Sequence, residues 1–119
     1  MKVFLLALTS ILMSVAAQFS LKAGMTELKA PMPAGSLVQS FLAFASNRFL
    51  ILGFVLYGLG ALVWLSVLAR WDVSKAYPIV GLGFVLSAAV GFALGEPVTM
   101  LRLLGVLLII AGVIVVAMS

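Results

Sequence analysis

Four polar side chains recur at every fourth position of the first apolar stretch in the sequence, at Ser10, Ser14, Gln18 and Lys22. Residues four apart lie on one face of a helix, so the spacing predicts a polar ladder that ends in a positive charge. One interpretation is a substrate path, because polar groups inside a membrane tend to face a bundle interior or a cavity. The other interpretation is that these groups hydrogen-bond neighbouring helices while Lys22 extends to the membrane surface.

Lys75 and Arg102 are two further cations that lie close to the predicted starts of helices. Helix N-termini favour anions, and Lys22 lies near a predicted membrane surface, so all three cations are candidates to bind a lipid headgroup. An alternative for each of the three is that it anchors the chain at the membrane surface and binds ordinary anionic lipid.

The elements that must position these groups are apolar helices. Of the 119 residues, 66% are hydrophobic and only 8% are charged, whereas apolar residues make up about half of a soluble protein. About twenty apolar residues cross the roughly 30 Å hydrocarbon core of a bilayer as a helix. We therefore predict an all-α membrane protein in which residues 1–119 form a single domain. Its four transmembrane helices are predicted at about 3–22, 48–69, 75–95 and 98–118.

The longest predicted connector, residues 23–47, contains four residues that interrupt helices, namely Gly24, Pro31, Pro33 and Gly35. Its apolar segment 37–44 is predicted to form a short interfacial helix, the alternative being that it extends the second span. For the first apolar stretch the alternative is a signal peptide, because Ser14-Val15-Ala16-Ala17 has the small residues of a cleavage site. That stretch exceeds the usual apolar region of about 7–15 residues, so a membrane helix is preferred.

Small residues at helical spacing mark faces on which helices can approach one another closely. They are Gly83, Ser87, Gly91 and Gly95 in the third predicted helix, and Gly105 and Gly112 in the fourth. We predict that these faces pack helices together, one of them between protomers. In the second predicted helix, Gly53, Gly58 and Gly60 are also interpreted as packing residues. Tyr57 and Trp64 lie seven residues apart on one face of that helix, and they are interpreted as packing residues, the alternative being a substrate cage.

Composition excludes several kinds of site. The sequence has no cysteine and no histidine, so disulfides, thiolate metal sites and histidine proton shuttles are absent, and no metal or cofactor is predicted. The acids, Glu27, Asp72 and Glu96, all lie at predicted loops, and Glu96 is interpreted as a solvated loop acid. No nucleophile–base pair or phosphate-binding loop is recognisable, so an enzyme is not expected. The basic residues are scattered, which argues against nucleic acid as a partner.

The basic residues do not indicate a single orientation in the membrane. Lys2, Arg70 and Lys75 fall on the side of the termini, and four others fall on the opposite side. The positive-inside rule needs a bias, and this distribution has almost none. The balance is compatible with dual insertion and an antiparallel dimer, or with a partner subunit that fixes the orientation.

Several short motifs resemble a known family in their order and spacing. Ala76-Tyr77-Pro78-Ile79 is followed by Gly81 and Gly83, then by Gly95-Glu96-Pro97, and then by the G-x-x-L-I-x-x-G-V pattern of residues 105–113. This series resembles the four-helix small multidrug resistance transporters. It resembles more closely their relatives in the drug/metabolite transporter superfamily that flip lipid-linked aminoarabinose. The resemblance covers nearly the whole chain, and its poorest part is the connector.

The comparison with the drug exporters also shows a departure. Those exporters use a glutamate in the middle of the first helix, whose raised pKa lets it alternate between a proton and a cation. The resemblance places Ser14 at that position and Val80 at their third-helix tryptophan, whereas Tyr77 matches their tyrosine. Drug–proton antiport by that mechanism is therefore not expected.

The segment from Ser14 to Gln18, Lys22, and Ala76-Tyr77-Pro78 match the lipid-flippase pattern. The resemblance implies a bacterial inner-membrane transporter that flips a polyprenyl-phosphate-linked sugar such as aminoarabinose. It also implies a homodimer, or a heterodimer with a related small subunit. The predicted substrate path comprises Ser10, Ser14, Gln18 and Tyr77, and the resemblance implies that the phosphate of the lipid binds Lys22, Lys75 or Arg102. Two alternatives stay open: an exporter of small molecules or cationic drugs, and a non-transporting membrane subunit of a larger glycolipid enzyme complex.

Overall fold

The computed structural model of the chain describes residues 2–28 and 37–119. The helices in these ranges are α1 (Lys2–Leu28), α2 (Leu37–Ala45), α3 (Arg48–Leu68), α4 (Val73–Ile79), α5 (Gly81–Ala93) and α6 (Met100–Met118). Four helical stretches are long and apolar enough to cross a membrane: α1, α3, the stretch formed by α4 and α5 together, and α6. The predicted all-α, four-span fold is confirmed, and the chain is a multi-pass membrane protein.

α1 and α3 form the most extensive helix pair in the described chain. Gly53 brings them together, because a Cβ atom there would lie 2.6 Å from Leu21 Cδ2 and 3.2 Å from the Ala17 carbonyl oxygen. One end of the pair is fixed by Ser20, whose hydroxyl donates to the Phe49 carbonyl at 2.6 Å. Polar and small residues thus hold an antiparallel pair at a short distance, as is usual for helices in lipid.

α1 continues six residues beyond the predicted boundary at residue 22 and ends at Leu28. Gly24 does not stop the helix, because it is buried where α3 begins and a Cβ atom there would lie 2.7 Å from Leu50 Cγ. The side-chain amide of Asn47 also donates to the Gly24 carbonyl at 3.5 Å. Lys22 therefore lies within the helix rather than at its end. Of the other predicted helix-interrupting residues, Pro31, Pro33 and Gly35 lie outside the described ranges.

Asn47 separates α2 from α3. Its side-chain oxygen accepts hydrogen bonds from the backbone N–H groups of Phe49 at 3.0 Å and Leu50 at 3.1 Å, which caps the start of α3. The sequence favoured a short separate helix here over an extension of the second span, and α2 is a separate helix. Its position in the headgroup region of the membrane stays a prediction.

The third span is interrupted at Val80, between α4 and α5. α4 begins at Val73, so Pro78 falls in its second turn. A proline there removes a backbone hydrogen bond, which interrupts the helix. Around Val80 the backbone hydrogen bonds join residues three apart instead of four. The Val80 N–H donates to the Tyr77 carbonyl at 3.0 Å, and the Gly83 N–H donates to the Val80 carbonyl at 2.8 Å.

A cluster of buried apolar side chains holds α1 against α4 and α6. It consists of Ile11, Val15, Ile79 and Val113. Gly81 admits α6 to this cluster, because a Cβ atom there would lie 3.0 Å from Val113 Cγ2. Val113 is the one buried residue of α6, so most of this helix faces away from the rest of the described chain.

The predicted packing residues have different surroundings. Gly83 packs against α1, since a Cβ atom there would lie 3.3 Å from Ile11 Cγ2. Gly95 lies beyond α5: its φ of +94° ends the helix in the left-handed conformation, and among the described residues a Cβ atom there would meet nothing within 4 Å. Gly105 and Gly112 likewise have no described neighbour within 4 Å of a Cβ position, so their packing role stays a prediction that concerns contact with another chain. Gly58 is equally open.

Candidate functional site

A groove of about 860 Å³ lies between α1, α3 and the third span. Its volume is in the range of roughly 300–1,000 Å³ that is common for small-molecule pockets. The groove is lined by Ser10, Ile11, Ser14, Val15, Gln18, Phe19, Lys22, Tyr57, Ala61, Trp64, Tyr77, Val80, Gly83, Phe84, Ser87 and Glu96. The structure thus brings together the whole polar ladder of α1 and Tyr77 of α4.

The two ends of the groove differ, because α1 and the third span run parallel and their C-terminal ends lie at the same end of the groove. Ala76 packs with Ala7, and Ile79 packs with Ile11, so both elements advance toward the same end of the bundle. Lys22 lies toward the C-terminal end of α1, and Glu96 follows the C-terminal end of α5. Both residues line the groove, so its charged side chains lie at one end, which we call the charged end. The remaining lining residues are neutral.

The polar residues of α1 differ in whether their side chains already form hydrogen bonds within the protein. The hydroxyl of Ser10 donates to the Gly60 carbonyl at 2.7 Å, and Ser10 is only 4% exposed, so its main contribution is to fasten α1 to α3. Gln18 is exposed, and its side-chain amide donates to the hydroxyl of Tyr57 on α3. The half-buried Ser14 lines the groove without a hydrogen-bond partner among the described residues. Ser14 and Gln18 are therefore the ladder residues best placed to contact a polar solute.

Sequence reasoning gave four polar or aromatic groove residues another role. Tyr57 and Trp64 were preferred as packing residues over a substrate cage, and Ser87 was assigned to a packing face, but these three residues line the groove. Glu96 is exposed, as expected of a loop acid, and it also lines the groove. Tyr57 and Trp64 are seven residues apart on one face of α3. The hydroxyl of Tyr57 was the available signal, because the hydroxyl of a buried tyrosine usually finds a hydrogen-bond partner. That partner is the side-chain amide of Gln18 in the groove.

The turn after α5 holds Glu96 against the helix. The backbone N–H of Gly95 donates to the Phe92 carbonyl at 3.1 Å, and that of Glu96 donates to the Gly91 carbonyl at 2.9 Å. This pair of bonds with a left-handed glycine is the Schellman arrangement for ending a helix. The carboxylate then lies over Gly91, where a Cβ atom would be 2.8 Å from Glu96 Oε1. Gly91 thus accommodates a side chain of its own chain rather than another helix.

The three predicted phosphate-binding cations lie in different places. Lys22 is the one that lines the groove. The Lys75 ammonium lies 4.9 Å from the ring centroid of Trp71 at the opposite end of the bundle. Arg102 lines a separate cleft of about 400 Å³ between α5 and α6, and its guanidinium donates to the Pro97 carbonyl. A headgroup in the groove would therefore meet Lys22, and the structure does not bring Lys75 or Arg102 to it.

Other charges near the charged end are engaged elsewhere. Arg48 and Glu27 form a contact of 4.0 Å between exposed side chains, which contributes little to stability because solvent screens it. The guanidinium of Arg48 also lies 4.8 Å from the centroid of the Phe49 ring. Within residues 2–28 and 37–119, no three His, Cys, Asp or Glu side chains come together as a metal site would require.

The chain is similar to several curated proteins that carry the same name. The chain is 48% identical over 73 residues to a protein of Pseudomonas savastanoi pv. phaseolicola, covering 60% of this chain and 64% of the relative. It is 45% identical over 71 residues to one of Pseudomonas syringae pv. syringae, covering 59% and 66%. A protein of Serratia proteamaculans is 40% identical over 73 residues, covering 60% and 64%. Each is named "Probable 4-amino-4-deoxy-L-arabinose-phosphoundecaprenol flippase subunit ArnE".

These matches confirm the resemblance to aminoarabinose flippase subunits that the sequence motifs indicated. The chain covers slightly less than two thirds of the length of these three relatives. No protein-family model matches the chain, and no solved structure matches it.

Proposed function

We propose that this chain is a subunit of a flippase in the bacterial inner membrane that moves a polyprenyl-phosphate-linked aminoarabinose between leaflets. The observation that carries the proposal is the groove, in which a neutral polar lining of Ser14, Gln18 and Tyr57 leads to the cation Lys22. The similarity to proteins named as flippase subunits for this lipid supports the choice of substrate.

The groove suits a substrate that is partly polar and partly apolar. The polyprenyl tail of such a lipid stays in the hydrocarbon, while its hydroxylated head must cross. Ser14 and Gln18 supply hydrogen-bonding groups to the head, and Lys22 supplies a positive charge to the phosphate. Each hydrogen bond that the head loses to water without replacement would cost about 1–3 kcal/mol. Because about 1.4 kcal/mol corresponds to a tenfold change in rate, replacing two such bonds speeds crossing by roughly thirtyfold or more.

The mechanism proposed here does not use a carboxylate as a proton switch. The sequence contains only three acids. Glu27 lies in the last turn of α1, Asp72 precedes α4, and Glu96 follows α5. Each acid is therefore at a helix end and none is at the middle of a span. Transport is expected to proceed without strict dependence on a proton gradient.

A partner subunit is part of the proposal. The relatives are named as subunits, which implies that they act with another chain. α6 leaves most of its surface uncovered in the single chain, and Gly105 and Gly112 have open space around them. We propose that this face packs against a second copy or a related small subunit.

The test is translocation of a labelled polyprenyl-phosphate aminoarabinose in proteoliposomes, with and without a pH gradient. The protein is purified from membranes with any partner that copurifies, and protein-free liposomes provide the background. Translocation well above background in both conditions is expected. Strict dependence on the gradient would contradict the mechanism. Export of a cationic dye without lipid movement would favour the exporter, and copurification with a glycolipid enzyme without transport would favour a non-transporting subunit.

A further inference from the structure

The charged end of the groove carries one positive and one negative side chain. Lys22 and Glu96 are the charged members of the groove lining. Lys22 and Glu96 line the same cavity but do not form a salt bridge with each other. Within the described residues, the one ion pair joins Arg48 and Glu27. Both charges are therefore available to a bound solute.

Among the described residues, no cation forms an ion pair with the carboxylate of Glu96. Arg102 lines the neighbouring cleft together with Glu96, but its guanidinium donates to the Pro97 carbonyl. No hydrogen bond or ion pair from a described residue reaches the Glu96 carboxylate. The Schellman turn fixes the backbone of Glu96, and the missing side chain of Gly91 lets the carboxylate lie along α5. An acid held in this way is a candidate ligand for a cation in the groove.

We propose that Glu96 determines substrate specificity by binding the cationic amino group of the sugar while Lys22 binds its phosphate. This inference rests on the proposed function and adds a residue role to it. A head with a phosphate and an amine has two opposite charges, as the charged end has. Hydrogen bonds between charged groups are roughly twice as strong as neutral ones. A head without the amine would make no charged hydrogen bond to the exposed Glu96 carboxylate, which would then have only water as a partner, so that head would bind more weakly.

The test compares two lipids that share the polyprenyl phosphate, one with 4-amino-4-deoxyarabinose and one with its uncharged N-formyl derivative. Binding is measured in detergent and translocation in proteoliposomes, with the protein and any copurifying partner. The unchanged protein is expected to favour the amino lipid about tenfold, as one charged hydrogen bond predicts for a solvent-accessible site. Glu96→Gln is expected to remove this preference by weakening binding of the amino lipid alone.

Two further variants separate recognition from structure. Gly91→Ala keeps the charge but displaces the Glu96 carboxylate, so it is expected to reduce the preference part of the way. Glu27→Gln alters an acid that pairs with Arg48 outside the groove lining, so the preference is expected to persist. Equal losses for both lipids in Glu96→Gln would assign the residue a structural role and overturn the inference.

The two proposals can fail separately. If the protein moves both lipids equally well, the flippase proposal stands and the role of Glu96 is overturned. If it binds the amino lipid selectively through Glu96 but moves neither lipid, recognition stands and the flippase proposal is overturned. If it neither binds nor moves either lipid, both are overturned.

Discussion

The side-chain amide of Gln18 donates a hydrogen bond to the hydroxyl of Tyr57, which joins α1 to α3 across the groove. Both groups belong to the groove lining rather than to a buried helix interface. A hydroxylated head that passes them can exchange hydrogen bonds with either partner. The pair therefore provides hydrogen-bonding groups in a groove whose lining is otherwise largely apolar.

Gln18→Leu is expected to slow translocation of the lipid-linked sugar. The change removes both the donor and the acceptor of the amide, and the loss of about 1–3 kcal/mol corresponds to roughly a 5–150-fold lower rate. The measurement is the initial rate in proteoliposomes at equal protein content. Gln39→Leu on α2 is the matched control, because it makes the same change outside the groove lining. Full activity of Gln18→Leu would remove the polar groove from the mechanism.

Lys22→Gln is expected to weaken capture of the phosphate. Lys22 is exposed, so solvent screening limits the effect, and we expect the KM for the lipid to rise about three- to tenfold with little change in kcat. Lys75→Gln is the control, because Lys75 lies over Trp71 away from the groove. Equal rises in KM for the two variants would show that both lysines act as general membrane anchors.

Gly53→Ala is expected to destabilise the bundle. A methyl group at Gly53 would collide with Leu21 and approach the Ala17 carbonyl, so α1 and α3 must move apart at a cost of about 1–3 kcal/mol. Gly58→Ala on the same helix meets nothing within 4 Å and is expected to be neutral or up to about 1 kcal/mol stabilising, because alanine favours helix. Unfolding in detergent with increasing denaturant measures both. Similar destabilisation by the two changes would contradict the close contact at Gly53.

Gly105→Leu and Gly112→Leu are expected to weaken assembly while the single chain still folds. Neither position has a neighbour within 4 Å among residues 2–28 and 37–119, so added bulk there is expected to affect mainly contact with another chain. Crosslinking in membranes and particle size in detergent report the loss, which is expected to be severalfold. Gly58→Leu provides the control, since it adds the same bulk at an open position on α3. If crosslinking is unchanged in both α6 variants, those glycines face lipid.

The spacing of residues along α1 was sufficient to predict which side chains share a face, but not what each one contacts. Ser10 and Ser14 are equivalent in the sequence pattern. They differ in the structure because the Gly60 carbonyl of α3 lies beside Ser10 and accepts its hydrogen bond. Which residue of another helix approaches a given position depends on tertiary packing, and helical periodicity carries no information about it.

The position of Glu96 was not predictable for a similar reason. Its place after an apolar run indicates a loop with a solvated acid, and Glu96 is exposed in the structure, but the sequence does not show which way its carboxylate lies. Here the left-handed conformation of Gly95 and the bare backbone of Gly91 direct the carboxylate along α5. The extension of α1 past Lys22 likewise depends on a remote contact, the hydrogen bond from Asn47 to Gly24. The number of spans was predictable because it depends on composition and length alone.

The location of Lys22 and Glu96 at one end of the groove has a kinetic consequence under the proposed function. By detailed balance, tighter binding at one membrane surface raises the occupancy of the carrier from that surface and leaves the equilibrium between leaflets unchanged. The charged end therefore cannot by itself set the net direction of movement, which must come from a process outside it, such as consumption of the lipid in the receiving leaflet. It does set the lipid concentration at which the carrier saturates, whereas the rate at saturation depends on later steps.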